Sequence, residues 1–216
     1  MYYLALILTA LAAYFLCSIN TAIIVSYFID KKDIREQGSK NAGMTNVLRI
    51  YGKKAAAFTV VGDFSKGVLA VVIASLLCVL FGHNNGPDRL FACHIAMLFG
   101  VLGHAYPIYY KFKGGKGILI SIGALLFFDP FVGLSLLALF AVLVAITKIV
   151  SVGSIAAAAS LPLMTFLIHR ITNPQFYIRD TVVALIIGVF VVFMHRSNIV
   201  RLINGTENKF GKSKEK

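Results

Sequence analysis

Charge is scarce in this chain. Only 14% of its 216 residues are charged, and acids are scarcer still, 9 against 21 lysines and arginines. With 58% hydrophobic residues, too few polar side chains remain to coat a water-soluble globule, which excludes that class. The three cysteines, Cys17, Cys78 and Cys93, lie in or beside apolar segments, are odd in number and lack metal-ligand spacing. That excludes a disulfide framework and marks them as inert packing residues. No basic helix, zinc spacing or aromatic RNA-binding motif accompanies the net charge of +12, so the charge does not point to nucleic acid. Internal repeats and low-complexity linkers are also lacking, so one domain over residues 1–216 is expected. Residues 208–216 are polar enough to be a mobile tail.

What the chain does have is long apolar runs. Seven are predicted, at residues 3–29, 55–81, 90–110, 118–128, 131–147, 152–168 and 181–194. The first lacks a basic leader and is longer than the core of a cleavable signal, so it is predicted to be a membrane helix. The fold class is all-α: a polytopic integral membrane protein with seven transmembrane helices. Runs 118–128 and 181–194 are shorter than the roughly 20 residues a perpendicular crossing needs, so they borrow flanking residues or thin the bilayer. Residues 118–147 either cross twice or form one re-entrant hairpin, and both choices keep the parity of the remaining spans.

Counting basic residues on alternate sides tests that topology. Seventeen lysines and arginines fall on one side, between Lys31 and Lys54, at Lys111, Lys113 and Lys116, at Lys148, and from Arg196 onward. Three, Arg89, Arg170 and Arg179, fall on the other, with Lys66 apart inside a span. The positive-inside rule puts the basic side and the C-terminus in the cytoplasm and the N-terminus outside.

Three basic-side clusters carry the chemistry. The first, QGSKNAGMTNVLR at residues 37–49, holds the uncharged donors Ser39, Asn41 and Asn46. Thr45 is placed to cap a short helix, and Arg49, four residues on, lies on the same face, able to grip an anion bidentately. The second, GHAYPIYYKFKGGKG at residues 103–117, combines Lys113 and Lys116 with Gly114, Gly115 and Gly117. A glycine turn opening a helix aims backbone N–H groups and the positive helix end at one point, and phosphate is the obvious guest. His104 and Pro107 are ambiguous: the plain reading is that His104, near the end of a membrane helix, satisfies a neighbouring carbonyl and that Pro107 only bends that helix. The third, HRSNIVRLINGTEN at residues 195–208, spaces His195, Asn198 and Arg201 three apart on one stripe. Gly205 ends the helix, and Glu207 is placed to hold a cation or a substrate hydroxyl.

Taken singly, each cluster also has a bland reading, as a polar connection, a glycine turn with interfacial lysines, or a solvated tail. Asp63 and Lys66, three apart within a span, are predicted to form a structural ion pair. Arg170, Arg179 and Asp180 read as ordinary connection residues. His83 and Asp88 in HNNGPD mimic an acyltransferase spacing, but they sit in the opposite connection, where Gly86 and Pro87 indicate a tight turn.

Together the segments GSKNAGMTNVLR, GHAYPIYYKFKGGKG and NIVRLINGTEN closely resemble the three signature regions of the bacterial acyl-phosphate:glycerol-3-phosphate acyltransferases, the PlsY family. The resemblance spans nearly the whole chain. It implies a seven-helix enzyme of the bacterial cytoplasmic (inner) membrane, its active site facing the cytoplasm. Such an enzyme moves an acyl group from acyl phosphate to the sn-1 hydroxyl of glycerol 3-phosphate. By position it implies functional roles for Ser39, Arg49, Lys116, His195, Asn198 and Glu207, with Asn41, Thr45 and Asn46. Lys40 stands where the family usually has glycine, and Met44 where it has alanine. The implied partners are acyl phosphate, glycerol 3-phosphate and membrane lipid, with no cofactor, metal or nucleic acid, and there is room for contact with the enzyme that makes acyl phosphate.

In that chemistry the glycine turn and Lys116 hold one phosphate, while Arg49, Ser39 and Asn198 orient the second. His195 or a substrate phosphate oxygen takes the hydroxyl proton, and the sequence leaves both open. Ser39 as a nucleophile is the weaker route, since an acyl phosphate is already activated. A transporter for a phosphorylated anion would need polar groups at midplane on several helices, and a lipid-binding scaffold would not need three motifs.

Overall fold

Asn20 interrupts the first apolar run. In the computed structural model, which describes residues 1–209, the expected single helix divides into α1 (Tyr2–Cys17) and α2 (Thr21–Asp30). The Asn20 side chain accepts the Ile23 N–H and caps α2, so a capping residue overrides an unbroken hydrophobic stretch. The expected tail lies outside the described residues from position 210 onward, while Asn208 and Lys209 are exposed.

The remaining helices are α3 (Met44–Leu80), α4 (Gly86–Ala105), α5 (Ile118–Phe128), α6 (Pro130–Thr147), α7 (Val150–Thr172), α8 (Tyr177–Met194) and α9 (Arg196–Ile203). Six spans among the described residues are long and apolar enough to cross a membrane, with Tyr2–Asp30 counting as one; α5, at 11 residues, is shorter. The architecture is thus all-helical and multi-pass. Large side chains such as Ile7, Leu11, Phe15, Phe58 and Leu76 face outward, as lipid-facing helices require.

Several boundaries differ from the sequence reading. The third helix begins at Met44 and carries a kink at Gly52 (φ 80°, ψ −172°), which joins the predicted short helix to the predicted span. Its N-cap is Gly43, and Thr45 lies one residue inside the helix, so Thr45 is not the cap. Gly86 and Pro87 form the first turn of α4 rather than a tight turn, because Asn85 accepts the Asp88 N–H and proline suits the helix start. Pro107 follows α4 and leads a short 3₁₀ turn, Ile108–Tyr110, so it does not bend that helix.

The chain divides into two compact units, Met1–Phe128 and Asp129–Lys216. In the first, α1 packs on α3 and α4, and α5 lies against α3 and α4. Small buried residues, among them Ala5, Ala13, Ala92, Ala96 and Gly100, let these helices approach closely. Cys17, Cys78 and Cys93 are free and buried there. At one end, the Tyr2 hydroxyl donates to the Asp88 carbonyl (3.1 Å). At the other, the Tyr14 hydroxyl donates to the Tyr106 carbonyl (2.8 Å), which ties α1 to the end of α4.

In the second unit α7 packs on α6 and α8. Its buried anchor was missed in the sequence reading. His169 Nε2 lies 2.8 Å from Asp129 Oδ2, and His169 Nδ1 lies 3.1 Å from Asp180 Oδ2. Asn173 donates to Asp180 (2.9 Å), as does Arg179 (3.1 Å). Asp180, fully buried, is therefore no ordinary connection residue. Asp129 between two apolar runs was the available clue, since a carboxylate at a membrane rim needs partners.

Candidate active site

The loop between α2 and α3 is organised by one side chain. Asn46, 1% exposed, accepts the Ser39 N–H at Oδ1 (2.9 Å). Its Nδ2 donates to the carbonyls of Gln37 (2.9 Å), Ile34 (3.1 Å) and Asn41 (3.2 Å). These contacts occupy both ends of the amide, so Asn46 shapes the loop that carries Ser39 and Asn41. Ser39, Thr45 and Arg49 are exposed, with Thr45 and Arg49 four apart on the opening turns of α3. Gln37 donates to the Tyr51 hydroxyl (2.6 Å), which donates to Asp30 (2.9 Å), tying the loop to α2 and α3.

Arg35 then binds this loop to the next one. Its Nη1 donates to the carbonyls of Tyr110 (2.7 Å) and Lys113 (2.8 Å), while Asp33 holds the guanidinium (2.6 Å). Burial alone would raise the Asp33 carboxyl, but the hydrogen bonds and charge of Arg35 hold it below its usual range. The sequence reading counted Arg35 only as a basic-side charge. A carbonyl-directed arginine leaves no local pattern to read.

In the second cluster the Gly114 N–H donates to the Ala105 carbonyl and the Gly115 N–H to the His104 carbonyl, both at 3.0 Å. Those two amides are engaged inside the turn. What Gly115 supplies is room, since a Cβ there would strike His104 Nε2 and the Ala42 carbonyl. Gly117 has φ +86°, a conformation that L side chains rarely adopt, and α5 starts directly after it. The first helical bond runs from the Ser121 N–H to the Gly117 carbonyl, so the amides just ahead of Ser121 sit at the open, positive helix end. Lys113 is exposed and Lys116 half-buried beside that end.

The third cluster lies wholly in the second unit. At His195 the chain breaks between α8 and α9. His195 Nδ1 lies 2.8 Å from the Val191 carbonyl, which can only accept, so Nδ1 carries the hydrogen. Asn198 donates to Glu207 Oε1 (2.9 Å), and Arg201 donates to Glu207 Oε2 (2.7 Å). Gly205 (φ +67°) ends α9, as its position predicted. The structure thus brings Asn198, Arg201 and Glu207 together.

Comparison with known proteins decides the family. A family model described as glycerol-3-phosphate acyltransferase matches residues 7–205. The chain belongs to the PlsY family of glycerol-3-phosphate acyltransferases. A glycerol-3-phosphate acyltransferase of Clostridioides difficile (strain 630) is 43% identical over 97% of both chains. One of Finegoldia magna is 42% identical over 99% of this chain and 100% of its own. Two crystal structures of PlsY (YgiH), an integral membrane glycerol 3-phosphate acyltransferase, are similar at 30% identity. The glycerol 3-phosphate form has a TM-score of 0.79 and covers 95% of this chain and 96% of its own. The lysophosphatidic acid form has a TM-score of 0.77, with 95% of both covered.

Against this family's first motif, Lys40 is informative. It adopts φ 58°, the left-handed region that glycine enters freely and an L residue enters at a cost of about 1 kcal/mol. The loop therefore keeps a glycine-like backbone with lysine in place. Residues 7–205 include all the site positions except Glu207, which lies just beyond the matched stretch.

Proposed function

We propose that this protein transfers an acyl group from acyl phosphate to the sn-1 hydroxyl of glycerol 3-phosphate at the cytoplasmic face of a bacterial inner membrane. The products are lysophosphatidic acid and inorganic phosphate. The observation that carries this reading is the glycine turn of residues 114–117, which opens α5 beside Lys116 at the end of an apolar helical bundle. Such a turn suits a phosphate at the membrane rim, with the acyl tail among apolar helices. The family match supports the acceptor.

Acyl phosphate is a mixed anhydride, so no covalent acyl-enzyme is required. The acceptor hydroxyl oxygen attacks the carbonyl carbon, the carbonyl carbon–phosphate oxygen bond breaks, and phosphate leaves. Lys116 and the α5 end hold one phosphate, while Arg49, Ser39 and Asn198 orient the other, so positioning and charge carry the rate. With hydrogen on Nδ1, neutral His195 has its lone pair on Nε2, the form that accepts the hydroxyl proton. Glu207 holds Asn198 and Arg201 in register. The same reading puts the N-terminus outside and the C-terminus inside, consistent with the basic bias.

Purified protein in lipid, given only acyl phosphate and glycerol 3-phosphate, is expected to release phosphate and form lysophosphatidic acid; an acyl thioester in place of acyl phosphate is expected to give none. Lys116→Ala should remove most of the turnover. Near-normal turnover in that variant overturns the role of the turn, and anion flux without turnover favours transport.

A further inference from the structure

A chain of buried polar groups lies beneath the glycine turn, and nothing in the reaction assigned above uses it. It begins where α1 and α2 part. The break leaves the Ile19 carbonyl inside the bundle, and Lys66 Nζ donates to it. Lys66 also pairs with Asp63 (2.8 Å), bearing out the ion pair expected from their spacing; the residues are 6% and 1% exposed. A neutral donor would satisfy one carbonyl, so a buried ion pair is more than that purpose needs.

His104 connects this pair to the turn. Its Nδ1 faces Asp63 Oδ1 at 4.0 Å and has no hydrogen-bond partner among the described residues. Its carbonyl accepts the Gly115 N–H, and its Nε2 edge packs where a Gly115 Cβ would stand. On the other side of Gly115 lies the Ala42 carbonyl, which accepts from Asn20 Nδ2 (3.5 Å), the side chain that caps α2. Gly115 is thus clasped between an imidazole and a carbonyl, each tied to the α1–α2 break, and the next residue is Lys116. A buried ring nitrogen without a partner is costly to keep, and packing alone would be met by an apolar side chain.

We propose that His104 is a positioning residue for substrate phosphate, braced by the Asp63–Lys66 pair, which fixes the height of Gly115 and so the placement of Lys116 and the α5 N-terminus. The proposal rests on the reading of this turn as a phosphate site. It assigns His104 no contact with substrate.

The test compares wild type, Lys116→Ala, His104→Ala, His104→Gln and His104→Asn in lipid, with KM for each phosphorylated substrate, kcat and Tm measured. For His104→Ala the KM of one phosphorylated substrate is expected to rise about tenfold as the ring's packing under Gly115 is lost, with kcat changed by less than about threefold. Gln places a nitrogen near the Nε2 position under Gly115 and should recover most of that rise. Asn reaches only toward Asp63 and should not. Unchanged KM in all three variants, with only Tm lowered, makes His104 structural and overturns the proposal. If His104→Ala does not fold, equal KM values for Gln and Asn overturn it, and a lower KM for Gln upholds it. A wild type without turnover sinks the acyltransfer reading and this proposal with it; a working wild type, an inactive Lys116→Ala and an unaltered His104→Ala sink this proposal alone.

Discussion

Asn198 donates from Nδ2 to Glu207 Oε1 at 2.9 Å, across the turn that ends α9. The carboxylate's other oxygen holds Arg201, so one acid fixes two neighbours of His195. Glu207→Gln keeps a partner for Asn198 and loses the charge-assisted bond. It is expected to cost about 1 kcal/mol of stability and several-fold in kcat/KM. Glu207→Ala removes the carboxylate shared by buried Asn198 and half-buried Arg201 and should cost more than Gln on both measures, read by Tm and initial rates.

Asn46 predicts a sharper chemical distinction. Ala removes bonds to Ser39, Ile34, Gln37 and Asn41, and about 3 kcal/mol of stability should go with them. Asp keeps the acceptor for Ser39 but turns a carboxylate toward three carbonyls. Asn46→Asp should therefore unfold at or below the Tm of Asn46→Ala, and a variant near wild type would refute the staple.

The Asp33–Arg35 clamp gives a pH dependence with a definite sign. The folded-state carboxyl lies below its ordinary value, so its contribution is present above the ordinary aspartate range near pH 4 and is lost as pH falls through the lower folded value. The stability gap between wild type and Asp33→Asn should close on acidification below about pH 4. A gap that widened on acidification would contradict the clamp. Arg35→Ala should also release the second loop, seen as faster hydrogen exchange at Tyr110 and Lys113.

His169→Ala leaves Asp129 and Asp180 as buried carboxylates without their shared partner, a loss of about 3–5 kcal/mol. Asp180 and His195 lie at opposite ends of α8, about 20 Å apart along the helix. The variant should lose Tm sharply while KM for both substrates stays near wild type, provided lipid keeps it folded. A changed KM with intact Tm would place His169 in the chemistry.

The sequence alone determined the class, the apolar runs and the three polar clusters, because hydrophobic length, charge bias and motif residues are properties of contiguous chain. Runs 118–128 and 131–147 match α5 and α6 to within a residue, since a glycine turn and Asp129–Pro130 punctuate them. The Asp63–Lys66 pair was legible for the same reason: its partners share one helix face. The tertiary structure decided what depends on distant partners. Asn20 breaks the first run because its side chain turns back to cap α2. Arg35 is a clamp because carbonyls 75 and 78 residues away accept from it. Asn46 is a staple, Thr45 is not a cap, and His169 joins Asp129 to Asp180 across 40 and 11 residues. Hydrogen bonds to backbone groups leave no pattern in side-chain order, and burial of an ionisable residue is set by what packs over it. For that reason the three polar clusters were readable in the chain, and the framework that holds them was not.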